Sequence, residues 1–437
     1  MIPPASGAVA ANRAPFLALL GANAISLLGT RLTQLAIPWF VLQTTGSATK
    51  TGIVGFVEML PVIIASFLGG TLVDRLGFAR GSVLSDLLTG AAIALIPTLH
   101  HTTGLAFWQL LLLVFCAGLV ATPGQTARQS LVPDLAARAG LPLERANALY
   151  QAVPRLSLLL GPALGAALIA LLGTSEVLWL DAASYLVSAA LVLATVRLPG
   201  RPRTGGEPTR YLDELRDGLR FIRQNQLVRG MIGLMLVVGL FDTPLFGVVL
   251  PVYADRVIGS VVALGTLLSA FGGGSLAGML LYSAVGHRLP RRATLATGFA
   301  AAGLPVLALT LAPPVWLIAA LAAVSGLISG PLNPLAMTLM QEQIPAELRG
   351  RVFGLVFALG LAVAPLGMLL AGAVIDTVGL GPMLGAIGAA YLAAGAIAAT
   401  ARAFRDLTPA TERAALPLAP TAELDRSHGA PHYLEGN

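Results

Sequence analysis

Gly69-Gly70-Thr71-Leu72-Val73-Asp74-Arg75-Leu76-Gly77-Phe78-Ala79-Arg80 places charge abruptly between two long apolar runs. Charged groups are costly in hydrocarbon unless they find partners, so this stretch reads as a hinge at a membrane surface. Its glycines let one helix end approach another closely, and Asp74 suits the positive N-terminus of a neighbouring helix. A contact of that kind can be made in one conformation and broken in another.

The rest of the chain supplies the apolar surroundings that this reading needs. Of 437 residues, 56% are hydrophobic and only 11% are charged, against about 25% charged in a soluble protein. A membrane helix needs about 20 mostly apolar residues, and such runs occupy 15–42, 51–73, 81–100, 104–126, 147–172, 176–196, 230–254, 262–285, 293–312, 314–338, 352–375 and 380–402. Arg75, Arg80, Arg128, Arg138, Arg145, Arg288, Arg291, Arg292, Arg349 and Arg351 fall in the second, fourth, eighth and tenth connections, while Lys50 and Arg256 fall on the other side. Basic residues collect in cytoplasmic loops, which places both termini and the quoted stretch in the cytoplasm. The net charge of +6 is therefore read as topological, not as a nucleic-acid footprint. Met1 to Ala14 reads as a cytoplasmic tail. The single Cys116 offers neither an intrachain disulfide nor a metal cluster and is expected in packing. Neither a metal nor another cofactor is expected.

Between the sixth and seventh runs, Tyr211, Leu212, Leu215, Leu219 and Ile222 share one helical face, with Arg210, Arg216, Arg220 and Arg223 around it. This predicts an amphipathic helix on the inner leaflet. The linker divides two similar halves. Pro38, Gly46, Ser47 and Gly52 recur as Pro251, Gly259, Ser260 and Gly265, each 251 − 38 = 213 positions on. Arg80, Gln129, Val132 and Pro133 recur as Arg292, Gln341, Ile344 and Pro345, 292 − 80 = 212 positions on. The chain reads as a tandem duplication: tail 1–14, six-helix half 15–196, cytoplasmic linker 197–229, six-helix half 230–403 and a disordered tail 404–437.

Read as G-x-L-x-D-R-x-G followed by a basic residue, Gly70, Asp74, Arg75, Gly77 and Arg80 resemble the loop signature of the major facilitator superfamily. There it lies between the second and third membrane helices on the cytoplasmic side. Phe78 stands where that family usually has a first basic residue, leaving the basic half to Arg75 and Arg80. Gly161, Pro162 and Gly165 resemble the G-P-x-x-G core of a fifth-helix motif of export-directed members, with Ser157 where a further glycine is usual. Ser26-Leu27-Leu28-Gly29, Pro38-Trp39, Thr45-Gly46-Ser47 and Asp181-Ala182-Ala183-Ser184-Tyr185 are similar to the branch holding bacterial macrolide-efflux proteins and the enterobactin exporter. The resemblance implies an all-α membrane protein with twelve transmembrane helices in two pseudo-symmetric halves, substrate being bound between them near the midplane. It implies a monomer in the bacterial inner membrane that exports a drug, a macrolide-like or a siderophore-like compound by alternating access, in exchange for protons. Uptake by symport or uniport stands as the alternative, and a non-transporting receptor as the alternative of another class. No constellation for catalysis appears, so no enzyme is expected.

Charges inside apolar runs mark the candidate coupling residues, since each costs about 2.5–3.5 kcal/mol at a helix centre. These are Arg31, Glu58, Arg155 and Asp242. Asp242 falls at the level of residue 242 − 213 = 29, close to Arg31, which predicts an Arg31–Asp242 pair across the cavity. Glu58, just before Pro61, is the first candidate for a proton carrier, or else a structural partner of Arg31; Asp242 is the second. Asp86 and Asp181 lie nearer run ends and read either as interfacial or as supports behind the cavity residues; His100 and His101 read as interfacial. The resemblance also leads one to expect, for a drug–proton antiporter, an Arg in the fourth helix, which 104–126 lacks; Arg155 either takes a related role or anchors the inner leaflet. The motif around Gly161 is expected to slide against a helix of the other half, and Gly274 and Gly278 to pack helix on helix.

The topology is checked with reporter fusions. One after Gly205 is expected to report the cytoplasm and one after Thr103 the opposite side; the same answer from both would require the spans to be recounted.

Overall fold

The computed structural model describes residues 12–196, 219–345, 348–404 and 407, with side chains for all of these except 66–76 and 287. Twelve helices in it are long and apolar enough to span a bilayer. In the first half they are α1 (Ala14–Thr45), α2 (Ala48–Leu76), α3 (Phe78–Thr102), α4 (Phe107–Arg138), α5 (Leu143–Leu172) and α6 (Thr174–Thr195). In the second they are α7 (Gln226–Ile258), α8 (Val261–Val285), α9 (Arg291–Leu311), α10 (Val315–Gln343), α11 (Arg349–Thr377) and α12 (Leu380–Thr400). The expected tails up to residue 11 and from 408, the linker over 197–218, and the side chains of Gly70, Asp74 and Arg75 lie outside the described residues.

Helices answer the bilayer's main demand, that backbone polar groups be bonded within the segment itself. Side-chain hydroxyls follow the same rule: Thr44, Thr98, Thr122 and Thr126 each donate to the carbonyl four residues earlier. Several helices outrun the apolar windows that predict them. α4 continues twelve residues past 126 to Arg138, and within that extension Arg128 is paired inside the bundle with Asp86. Arg128, expected in the fourth connection, is consequently a residue of α4 and is 2% exposed. Likewise α2 runs through the quoted stretch to Leu76 and α3 starts at Phe78, so the turn is at Gly77.

The duplication has a structural cause at the matched positions. Gly46 and Gly259 end α1 and α7 in the left-handed region, with φ of 65° and 71°, a conformation that side chains disfavour. The following serines then cap the next helix: Ser47 Oγ accepts from the Lys50 amide at 3.2 Å, and Ser260 Oγ accepts from the Ala263 amide at 3.3 Å.

Within the first half α1 packs on α5 and α6, α3 on α4 and α6, and α2 on α4; within the second, α8 and α9 pack on α10, α9 on α12, and α7 on α11. The halves meet along two seams, α2 against α11 and α5 against α8. Gly274 and Gly278 lie where α8 crosses α10: an added Cβ on either would come within 2.0 Å of the Ala323 or Leu327 carbonyl oxygen. Spans are antiparallel in sequence, so α1 begins and α12 ends at one end of the bundle, called here the terminal end; the other is the distal end. Two π-helical stretches, Leu245–Val249 and Ala254–Ile258, lie around Pro251 in α7 and carry it to the distal end.

Candidate functional site

The two seams are built differently. On the α5/α8 seam, a Cβ on Gly265 would lie 2.2 Å from the Ala166 Cβ and 2.8 Å from the Pro162 carbonyl, so small residues bring backbones together without polar bonds. The motif Gly161-Pro162-Ala163-Leu164-Gly165 sits at this node, but its glycines turn the other way. A Cβ on Gly161 would come within 2.5 Å of the Arg31 Cβ, and one on Gly165 within 3.2 Å of Leu35, both on α1. The expected sliding face against the other half is therefore formed by Pro162 and Ala166, and Gly161 and Gly165 fix α5 on α1.

The α2/α11 seam carries charge at the distal end. Asp376, next to last in α11, accepts from Ser47 Oγ at 2.8 Å, from the Thr49 amide at 2.8 Å and from the Ala48 amide at 3.2 Å. A carboxylate of one half thus caps the N-terminus of a helix of the other, where free amides and the helix dipole favour an anion. Arg256, set in the second π-helical stretch of α7, donates to Asp376 at 2.9 Å and to the Gly46 carbonyl at 2.8 Å. Thr49 Oγ1 adds a bond to the Gly372 carbonyl at 3.3 Å. Below this cluster the Met368 side chain of α11 lies against Gly55 of α2 and Gly247 of α7, while its backbone carbonyl approaches Gly52. These contacts join the two halves at the distal end.

The charged residues expected to face the cavity fall into different partnerships. Arg31 donates to Gln34 on its own helix at 2.7 Å, and Glu58 is half-buried on α2. Asp242 is not paired with Arg31, contrary to the expectation. It accepts from Tyr391 of α12 at 2.7 Å, a partner that the repeat register could not reveal because α12 belongs to the same half. Arg155 is exposed on α5. Gly77 and Arg80 are described at the turn into α3, Arg80 being exposed, with the remainder of that motif outside the described side chains. His100 packs edge-on against Phe40 with ring centroids 4.9 Å apart. Cys116, expected in packing, lies instead on an exposed face of α4.

Of the two readings of Asp86 and Asp181, burial rules out the interfacial one, since both are 1% exposed. Asp86 forms an ion pair with Arg128 of α4 at 2.6 Å and accepts from Ser188 of α6 at 2.7 Å. The fourth-helix Arg that appears missing from 104–126 is thus present as Arg128, beyond the apolar window. Asp181 accepts from Thr33 Oγ1 of α1 and, at 3.2 Å, from Ser184 Oγ. Nothing in the sequence around Asp376 and Arg256 marks them, since each stands beside a connection where a charge is unremarkable; the signal that this turn is special is Ser47 with its match Ser260.

Residues 7–427 match a family profile described as a transmembrane secretion effector. The multidrug efflux pump Tap of Mycobacterium tuberculosis (strain ATCC 25618 / H37Rv) is 35% identical over 425 residues, covering 96% of this chain and 99% of Tap. Macrolide efflux protein A of Streptococcus pyogenes is 23% identical over 371 residues, covering 84% of this chain and 90% of that protein. Among solved structures, the nucleoside transporter NupG has a TM-score of 0.70 at 10% identity, covering 88% of this chain and 98% of NupG. A bacterial homologue of the iron transporter ferroportin in an inward-facing state has a TM-score of 0.69 at 15% identity, covering 88% of this chain and 97% of its own. At these identities the solved structures bear on the fold, which agrees with the twelve-helix arrangement expected from the sequence.

The distal cluster is tested by labelling. In a Cys116→Ser background, a Met368→Cys probe is expected to react about five-fold faster with a membrane-impermeant thiol reagent when Asp376→Asn is added, the equivalent of loosening closure by about 1 kcal/mol. Unchanged reactivity would mean that Asp376 does not hold the distal end shut.

Proposed function

Because this chain belongs to the transmembrane secretion effector family of the major facilitator transporters, we propose that it exports small amphipathic compounds by alternating access, in exchange for protons. It works as a monomer in the bacterial inner membrane with both termini in the cytoplasm, so the distal end faces outward. Likeness along nearly the whole chain to a multidrug efflux pump is the observation that carries export. It favours neither the uptake reading nor the receptor reading. The positive-inside pattern supports the orientation, and the enrichment of cytoplasmic connections in arginine includes the one after α2.

Alternating access needs two arrangements whose contacts exclude each other. α2 is the element on which both would act. At its N-terminus Asp376 of α11 supplies the cap just described. At its other end Gly70, Asp74, Arg75, Gly77 and Arg80 form the switch that closes the cytoplasmic side when the distal contacts open. The smooth α5/α8 seam, around Pro162 and Gly265, lets the halves rock while they stay in contact. Substrate enters the cleft between the halves from the cytoplasm or inner leaflet and is released outward.

Glu58 of α2 carries the transported proton, with Arg31 as the charge that responds to its ionisation and Asp242 as the alternate carrier. Arg155, exposed on α5, adds positive charge to the first half. Only a ligand bound with different affinity in the two states can drive a conformational change. A carboxyl that is wetted in one state and buried in the other meets that condition, since burial penalises its charge.

Two experiments test this reading. A drug-sensitive bacterial host expressing the chain is expected to tolerate at least about four-fold more of one or more compounds in a panel of macrolides, tetracyclines and cationic dyes; no shift on any compound would remove the export reading. In everted vesicles, Glu58→Gln is expected to abolish accumulation driven by an imposed pH gradient while downhill exchange stays within about two-fold of the parent. Retained accumulation in that variant would transfer the role to Asp242.

A further inference from the structure

Three helices of the first half carry polar residues at helical spacing, and the stripes face one another. On α6 these are Asp181, Ser184, Tyr185 and Ser188; on α3 they are Ser82, Ser85, Asp86 and Thr89; on α1 they are Asn23, Ser26, Thr30 and Thr33. Steps of three and four residues place each set on one helix face, and α6 packs against both α1 and α3. All but Ser184 and Thr30 are buried. Bonds cross from helix to helix along the stripe. Thr33 donates to Asp181, Thr30 and Tyr185 share a bond of 2.9 Å, Ser188 donates to Asp86 at 2.7 Å, and Asp86 pairs with Arg128.

The duplicated half serves as an internal control. In register, Asp181, Ser184, Tyr185 and Ser188 correspond to Ile387, Ala390, Tyr391 and Ala394, with 391 − 185 = 206. Asn23, Ser26, Thr30 and Thr33 correspond at 213 to Leu236, Gly239, Thr243 and Phe246, and Ser82, Ser85, Asp86 and Thr89 correspond at 212 to Thr294, Thr297, Gly298 and Ala301. The second half thus keeps a polar residue at four of the twelve positions, Thr243, Thr294, Thr297 and Tyr391, but neither acid, so a six-helix unit of this fold packs without a buried carboxylate at these places. The two carboxylates of the first half cost free energy to place there, so they answer to something other than packing.

Two features give the stripe direction. Asp86 has a cation, Arg128, at 2.6 Å, whereas the hydrogen bonds to Asp181 come from two hydroxyls. A carboxylate so held is a costly charge unless a proton joins it. Gly29 leaves room for it, since a Cβ there would lie 2.3 Å from both Asp181 Oδ1 and Ser184 Oγ. From Asp181 the stripe descends seven residues of α6 to Ser188, about 10 Å at 1.5 Å per residue, toward the terminal end. Along that descent Ser82 Oγ, Thr89 Oγ1, Asn23 Nδ2 and Arg128 Nε are buried polar atoms without a protein partner, the kind of group that ordered water bonds.

We propose that Asp181 is a proton-binding site inside the first half, and that the stripe from Tyr185 through Ser188 and Asp86 to Ser82 is a hydrated path by which its proton leaves toward the terminal end. The inference rests on the proton-exchange reading given above and extends it from the cleft to the interior of the half. The proton arrives on the Asp181 carboxylate from water and is returned to water, so no other reactant is needed. The ionisable groups on the packed helices are Arg31 of α1, directed to Gln34; Arg80, Asp86, His100 and His101 of α3; and Glu144, Arg145, Tyr150 and Arg155 of α5. Arg128 reaches in from α4, and Tyr185 lies on α6 between the two acids.

The test uses the purified full chain in lipid nanodiscs. Infrared difference spectra between acid and neutral pH are expected to show the carbonyl band of a protonated carboxyl, with a component that Asp181→Asn removes and Asp181→Glu restores at a shifted position. In everted vesicles with ethidium as probe, Tyr185→Phe, which leaves Asp181 in place, is expected to cut accumulation driven by a pH gradient at least about ten-fold while downhill flux stays within about two-fold. A merely structural role would lower the melting temperature and both fluxes together. The proposal is overturned if the Asp181→Asn spectrum superimposes on that of the parent, or if Tyr185→Phe accumulates ethidium as the parent does. A parent with no titrating carboxyl at all would instead overturn proton exchange as a whole. Should Asp181→Asn fail to fold, Thr33→Val, which removes one donor and keeps the acid, is expected to shift the same band; an unshifted band overturns the assignment.

Discussion

The free energy of placing an unbonded polar group in hydrocarbon governs this protein at every scale. It makes each span a helix, because only a helix bonds its own backbone. It ties threonine hydroxyls to carbonyls one turn back. It also explains why Arg128 is found with Asp86 and Ser188 around it, since a buried guanidinium without a carboxylate would cost several kcal/mol. Breaking that pair by removing one partner leaves the other charge stranded, so its two members stand or fall together.

The same cost separates the two seams between the halves. Where α5 meets α8, small residues give van der Waals contact, which falls away gradually as helices slide. Where α2 meets α11, Asp376 caps a helix of the other half, and Arg256, paired with Asp376 inside its own half, donates to the Gly46 carbonyl across the gap; these are directional bonds that are either made or lost. Asp376 and Arg256 are 25% and 35% exposed, so the cluster is wet enough to break for a modest free energy. A rocking motion about the smooth seam that opens the charged one is the movement such an arrangement favours.

Duplication supplied the frame, and divergence between the copies supplied the chemistry. Both halves retain the glycine turn and serine cap that join their first two helices. Both also keep a tyrosine between the first and sixth helices, Tyr185 with Thr30 and Tyr391 with Asp242. The acids do not correspond: the second half carries its acid on the first helix, at the position of Gly29, and the first half carries Asp181 on the sixth. Gly29 and Asp181 are complementary, because a side chain at residue 29 would occupy the place of the carboxylate.

By itself the sequence determined the twelve spans, the duplication and the family, because apolar run length, basic-residue placement and short turn motifs are local properties readable along the chain. The match at Gly46 and Gly259 was legible for that reason, and so was the close crossing at Gly274 and Gly278. Only the tertiary structure decided which buried charges meet. Asp242 turned to Tyr391 and not to Arg31, Gly161 turned to α1 and not to the opposite half, and Arg128 went from an apparent loop into the core. These pairings join residues from 42 to 149 positions apart. In hydrocarbon a charge is stable beside whichever partner packing brings within bonding distance, and one residue of helical rotation, about 100°, changes which partner that is.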